Sequence, residues 1–221
     1  MVSSPERVDR IFPSHLAGVI RWKDAEEAYQ AVLTAARSGL GSVEITSGTP
    51  TAFELIARLR QEVGASCVVG AGTITSAALA NEAVESGAQY LVTPYLVPEA
   101  ALVAREAEVL LVMGATTPSE IAQAQALGAD LVKVFPAASI GGPGYIAAIR
   151  GPMPDVPLWV SGGVEISDIA EYLRAGAQVV GLTADLFRPA LLKSQSWGEI
   201  DRLCRLALSE AGVPEGVAAA G

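Results

Sequence analysis

Lysine is scarce in this chain. Lys23, Lys133 and Lys193 are the only three, and Lys133 alone lies inside an apolar run, Asp130-Leu-Val-Lys-Val-Phe-Pro136. β-Branched residues on both sides of it read as a buried parallel strand that the proline ends. Burial penalises an ammonium and lowers the pKa of the amine, so a lysine placed there is a usable neutral nucleophile. The same position also admits a structural lysine, whose head snorkels out of the strand end or pairs with Asp130. Glu44 has a similar setting in Ser-Val-Glu-Ile-Thr. Acidic residues are rarely buried without a partner. With Lys133 on another inward-facing strand, the two make an amine and carboxylate pair that can run carbonyl chemistry without a metal. The alternative is a buried structural ion pair, whose net stability is doubtful.

Eight short apolar runs could position such residues: Leu16 to Arg21, Ser42 to Thr46, Cys67 to Ala71, Tyr90 to Thr93, Val109 to Met113, Leu131 to Phe135, Leu158 to Ser161 and Val179 to Leu182. Segments of helical periodicity lie between them, among them Ala25 to Arg37, Thr51 to Val63, Ala77 to Ser86 and Ile166 to Arg174. Such alternation implies a parallel sheet with covering helices, and eight units over residues 1–221 predict a single-domain (β/α)8 TIM barrel. The first ten residues read as a short amphipathic N-terminal helix over a barrel end. An internal echo supports the barrel. Gly39, Gly87, Gly128 and Gly176 each end a helix just before the second, fourth, sixth and eighth strands.

Composition bounds the function. With 51% hydrophobic and 18% charged residues the chain fills a large core. Its net charge of -9 argues against a nucleic-acid or anionic-membrane partner, since phosphate backbones need clustered Lys and Arg. Small anions need only a local site. Cys67 and Cys204 are too few for a disulfide framework, so a reducing cytoplasm is expected. The N-terminus has no hydrophobic signal core, and glycines break the longest uncharged stretch, Val63 to Asn81, so no membrane span is expected. The single histidine, His15, cannot build a multi-histidine zinc site and reads as structural.

In (β/α)8 barrels the chemistry sits at the carboxyl ends of the strands. Arg21 ends the first strand here, Glu44 lies in the second, Gly72 and Thr73 follow the third, and Thr93 with Pro94 follows the fourth. Lys133 and Phe135 are in the sixth. The seventh ends in Ser161-Gly162-Gly163 and the eighth in Gly181-Leu182-Thr183-Ala184, just before Asp185. Glycines at the last two strand ends suit close approach of backbone amides to a phosphate, or simply a tight turn.

At these residues the sequence resembles a family. Val43-Glu-Ile-Thr46, Gly70-Ala-Gly-Thr-Ile74, Leu91-Val-Thr-Pro94, Leu131-Val-Lys-Val-Phe-Pro136 and Ser161-Gly-Gly-Val164 are similar, in that order, to the class I aldolases that cleave 2-keto-3-deoxy-6-phosphosugar acids and 4-hydroxy-2-oxoglutarate. The resemblance spans Gly18 to Arg188. It implies Lys133 as the Schiff-base lysine, Glu44 as general acid and base, and Thr73 as a ligand of the pyruvate portion. Gly162, Gly163 and the eighth-strand loop with Gly181 and Thr183 would take a distal phosphate. It further implies a keto-acid substrate, no metal or cofactor, and a homotrimer.

Two departures bear on the substrate. Phosphogluconate-type members carry an arginine where this chain has Gly48, whereas Arg21 and Pro50 resemble the phosphogalactonate-type branch. Thr183-Ala184 stands where that branch has glycine and serine, so a hydroxyl expected at the helix start has moved or gone. The rival functions are a phosphate-binding barrel isomerase or epimerase and a non-catalytic small-anion-binding barrel. Against the first stands the lack of several histidines, and against the second the intact Glu44, Thr73 and Lys133.

Overall fold

Eight parallel strands pair in sequence order and close on themselves. They are β1 (Leu16–Ile20), β2 (Ser42–Thr46), β3 (Val68–Gly72), β4 (Tyr90–Val92), β5 (Leu110–Ala115), β6 (Leu131–Val134), β7 (Leu158–Ser161) and β8 (Val179–Leu182). Around them run α1 (Ser4–Ile11), α2 (Ala25–Arg37), α3 (Ala52–Val63), α4 (Ala77–Glu85), α5 (Pro98–Glu106), α6 (Pro118–Ala126), α7 (Gly142–Arg150), α8 (Ile169–Arg174), α9 (Pro189–Lys193) and α10 (Trp197–Glu210). This computed structural model describes residues 4–214. Arg21, Thr93 and Phe135 fall one residue beyond their strands, where the ladder stops and the chain turns toward the barrel mouth. The helix expected over Ile166 to Arg174 is a 3-10 turn, Ile166–Asp168, leading into α8, because Glu165 and Asp168 cap each other there.

Local chemistry sets the helix ends. Asp24, Ser76 and Thr117 each accept a backbone N–H at the start of α2, α4 and α6, and Glu120 completes a capping box with Thr117. The four echoed glycines have φ of +93°, +90°, +92° and +105°, a region closed to most side chains. At each, the glycine N–H and the next residue's N–H bond back to helix carbonyls, as Gly39 to Ala36 and Leu40 to Ala35. The glycine echo is thus a repeated helix stop that aims the chain into an even-numbered strand.

Alternation along the strands sorts side chains into two cores. Val43, Ile45, Val69 and Leu111 point outward into the layer under the helices. Ala17, Val19, Tyr90, Val112, Leu131 and Trp159 point into the barrel. Phe12 rises into the floor and packs edge-on against Tyr90 and Trp159, with both ring centroids 5.1 Å away. Burying Phe12 there contributes roughly 3 kcal/mol. With Val8 and Ile11 of α1 in the same cluster, the N-terminal helix closes the floor as expected, although its residues 1–3 lie outside the described residues. Arg7 ties it down through Asp130, whose other oxygen accepts the Leu111 N–H. His15 sits in the turn before β1 and donates from Nδ1 to the Gln178 carbonyl at 3.0 Å, a structural role. Both cysteines are free and buried, and burial pushes both thiols up to about 12. Among the described residues no helix is long and apolar enough to cross a membrane.

Candidate active site

The barrel is full at its floor and open at the carboxyl ends of its strands, where a cavity of about 760 Å³ lies. Lys133 and Glu44 both line it, on β6 and β2. Lys133 is only 8% exposed and Glu44 is fully buried, so neither head snorkels to solvent. Asp130, engaged at the opposite end of the strand, is not a partner of Lys133. Neither Glu44 carboxylate oxygen has a hydrogen-bond partner among the described residues, which removes the structural ion pair as well. The two groups face one space and act on each other through it.

Their protonation follows from that placement. Burial lowers the Lys133 amine below the ordinary 10.5, Glu44 pulls it back up, and the Arg21 guanidinium lowers it again. Burial raises the Glu44 carboxyl above 4.5, against the opposing charges of Lys133 and Arg21. A lysine shifted toward neutrality and a carboxyl shifted toward retaining its proton are the forms that nucleophilic addition to a ketone and loss of water require.

Glycines make this arrangement possible in a way the sequence alone does not reveal. A Cβ on Gly72 would occupy the volume of the Glu44 carboxyl, and one on Gly181 would meet the Trp159 indole. Gly72 and Gly181 are not among the residues that line the cavity. They vacate interior positions that the neighbouring strands' side chains fill. Gly114 does the same for Pro94, whose backbone lies against it while Thr93 Oγ1 accepts the Gly114 N–H at 3.1 Å. Because the Gly72 backbone is not in the left-handed region, Gly72→Ala tests space alone. It is expected to keep the fold at a cost of about 1–3 kcal/mol and to lower kcat roughly a hundredfold by displacing Glu44. Thermal denaturation and steady-state kinetics check both.

The remaining expected residues gather on the wall. Arg21, from the end of β1, donates to Thr73 Oγ1 at 2.8 Å. A Cβ on Gly48 would stand 4.0 Å from the Arg21 guanidinium, so an arginine at either position would project into the same corner. Thr73 has φ +59°, a strained conformation for a β-branched residue. It is held by Ser47, whose hydroxyl bonds the Thr73 carbonyl at 2.9 Å, and by the Ile74 N–H on Val92. Pro94, Phe135, Gly162, Gly163 and Thr183 also line the cavity. Phe135 sits beside the nucleophile, its ring centroid 5.1 Å from Lys133 Nζ. The structure adds Val19, Thr46, Ser161, Glu165 and Asp185. Thr46 and Ser161 are two residues from Glu44 and Trp159 on the same strand faces, so alternation alone would have found them. Glu165 and Asp185 give no such signal.

Comparison with known proteins bears on this geometry. Residues 9–203 match the family described as KDPG and KHG aldolase. The chain belongs to that family. A 2-dehydro-3-deoxy-phosphogluconate aldolase of Pseudomonas aeruginosa is 35% identical over 174 residues, 78% of each chain. A probable 2-dehydro-3-deoxy-6-phosphogalactonate aldolase of Rhizobium meliloti is 31% identical over 177 residues, 80% of this chain and 83% of its own. Among solved structures, the KDPG aldolase of Legionella pneumophila superposes with a TM-score of 0.81 at 26% identity, covering 90% of this chain and 96% of that one. That crystal holds pyruvate captured as a covalent carbinolamine intermediate. Relatives of both the phosphogluconate and the phosphogalactonate type thus match this KDPG and KHG aldolase family chain.

Proposed function

We propose that this chain is a Schiff-base aldolase that reversibly cleaves a 2-keto-3-deoxy sugar acid to pyruvate and an aldehyde. The observation that carries the reading is a buried lysine and a buried carboxylate that line one cavity without pairing. Neutral Lys133 Nζ adds to the C2 ketone, and Glu44 gives its proton to the departing hydroxyl, so that water leaves and an iminium remains. The Glu44 carboxylate then takes the proton of the C4 hydroxyl. The C3–C4 bond breaks, its electrons flow to the iminium nitrogen, and the aldehyde departs from a pyruvate enamine. Glu44 returns the proton to C3, and water hydrolyses the iminium to free pyruvate and Lys133. A carboxyl raised by burial suits both directions of transfer. The scheme uses no metal and no cofactor.

Arg21 and Thr73 hold the keto-acid carboxylate in this proposal, Pro94 and Phe135 flank the pyruvate portion, and Gly162, Gly163 and Thr183 receive the far end of the substrate. A homotrimer in a reducing cytoplasm completes it, the first from family resemblance and the second from the unpaired cysteines. The test is a panel of 2-keto-3-deoxy acids and 4-hydroxy-2-oxoglutarate assayed for pyruvate release. Failure of every member to yield pyruvate contradicts the reading.

Arg21 gives a separate prediction. A guanidinium can grip a carboxylate through two parallel hydrogen bonds, which an ammonium cannot copy. Arg21→Lys is expected to lose roughly tenfold in kcat/KM and Arg21→Ala roughly a hundredfold, through misplacement of the ketone relative to Lys133. Because Arg21 also lowers the Lys133 pKa, Arg21→Ala moves the acidic limb of the pH profile to higher pH. Near-normal kcat/KM in a folded Arg21→Ala protein rules out the substrate role.

A further inference from the structure

Ser42, Thr46, Ser47 and Thr49 carry hydroxyls on β2 and just beyond it, and all but one are engaged. Ser42 Oγ donates to the Tyr90 hydroxyl at 3.1 Å, Ser47 Oγ donates to the Thr73 carbonyl, and Thr49 Oγ1 accepts the Trp22 N–H at 3.4 Å. Thr46 is the exception. Its Oγ1 is buried and has no hydrogen-bond partner among the described residues. A buried hydroxyl left unpaired costs free energy that a methyl in its place would not. Among the buried side-chain atoms without a partner, those of Ser14 and Trp159 lie off the cavity, whereas Thr46 Oγ1 and both carboxylate oxygens of Glu44 belong to residues that line it.

Strand pairing puts these two groups at one level. Thr46 is the register partner of Gly72, and the Glu44 carboxyl occupies the volume that a Gly72 side chain would take. Glu44 thus reaches along β3 to the height of Thr46, yet the two do not bond each other. They flank one gap. β6 stands opposite β2 in the closed ring of strands, so Lys133 faces that gap from across the barrel. On the aldolase reading above, the C2 carbon that Lys133 Nζ attacks carries a carboxylate, C3 and an oxygen. The carboxylate goes to Arg21 and Thr73, whose mutual hydrogen bond closes the corner between β1 and β3, and C3 leads into the rest of the substrate. The C2 oxygen is the substituent left to face β2.

Resting on that reading, we infer that Thr46 is a further catalytic residue, whose hydroxyl donates to the C2 oxygen of the carbinolamine and leaves that oxygen's other lone pair aimed at Glu44. In the dehydration the C2–O bond breaks, the Glu44 proton joins the departing hydroxyl to form water, and the Nζ lone pair completes the iminium. Thr46 keeps its own proton throughout. A donor fixed in place before the step needs no reorganisation during it.

The experiment follows pyruvate labelled with heavy oxygen at C2, which the protein exchanges with solvent only by forming and hydrolysing the iminium. Thr46→Val keeps the shape of the side chain and removes the hydroxyl. It is expected to lower the catalysed exchange roughly tenfold, with a Tm at or above that of the wild type because no unpaired hydroxyl remains. Thr46→Ala, a second hydroxyl-free variant, is expected to show the same loss and serves if Thr46→Val does not fold. Thr46→Ser restores the hydroxyl and should exchange within about threefold of the wild type. Wild-type exchange in a folded hydroxyl-free variant overturns the inference, as does an equal loss in Thr46→Ser. A Tm lowered in Thr46→Val and restored in Thr46→Ser would assign the hydroxyl to the fold and overturn it too. Reductive trapping of pyruvate on Lys133 of the wild type separates the two levels. Trapping together with undiminished exchange in Thr46→Val defeats this inference alone, whereas no trapping and no cleavage of any substrate defeats the aldolase reading and this inference with it.

Discussion

Pyruvate and borohydride together should label the protein at Lys133 and inactivate it, and Lys133→Met should take no label while keeping the barrel. The other two lysines set the control. Lys23 and Lys193 are exposed and lie outside the cavity, so neither stands where a bound keto acid would present its ketone. Hydride reduces the iminium to a secondary amine, and the adduct remains through peptide mapping. The labelling rate should rise with pH through the lowered pKa of Lys133, because only the neutral amine adds to the ketone, and its acidic limb should therefore lie below the ordinary lysine value of 10.5. Aldol cleavage should fall by at least about a thousandfold in Lys133→Met, since loss of a nucleophile removes the covalent route and not one contact along it. Methionine fills the same volume without a charge, so circular dichroism should be unchanged. Label found on Lys23 or Lys193, or cleavage retained by the variant, contradicts the mechanism.

Lys133 and Glu44 are legible in the sequence because a charged residue in a β-branched run conflicts with burial, and such a conflict points to function or to a partner. The barrel is legible from eight alternating units and from helix-stopping glycines whose positive φ the structure bears out. The interior glycines are not legible in their role. Whether Gly72 touches a substrate or makes room for Glu44 depends on what the adjacent strand projects across the pleat, and no spacing along one strand records that. The acidic rim is hidden for a related reason. The turns after β7 and β8 read as donors of backbone amides when each is taken alone. Barrel closure then brings Asp185 onto the Ile166 N–H and adds Glu165 beside it. Pairing between strands is where single-chain reading runs out.

Glu44→Gln should give an enzyme that is slower and at neutral pH more stable. Gln cannot move a proton between C4, C3 and the departing hydroxyl, so kcat should fall by about 10²–10⁴, the range for loss of a general acid and base. Lys133 remains and should still be labelled by pyruvate. Its acidic limb should move to lower pH, because Glu44 is the group that raises the lysine. Stability follows from the same burial with the sign fixed by linkage. The folded-state pKa of Glu44 is raised above 4.5, so its contribution is fully present below that value and is lost as pH rises through the folded-state pKa. Above it, the wild-type protein keeps a carboxylate with no hydrogen-bond donor in a fully buried position. Replacing it by a neutral amide should stabilise the fold by about 1 kcal/mol at pH 7, a Tm gain of roughly 2–4 °C for a chain of this size. That gain should shrink as pH falls toward 4.5, where the wild-type carboxyl is also neutral. Thermal melts of both proteins from pH 4 to 8 decide the point. A variant destabilised equally at both ends of that range would show that Glu44 holds the barrel together, and a fall in kcat without the shift in the Lys133 limb would show that it does not act on the lysine.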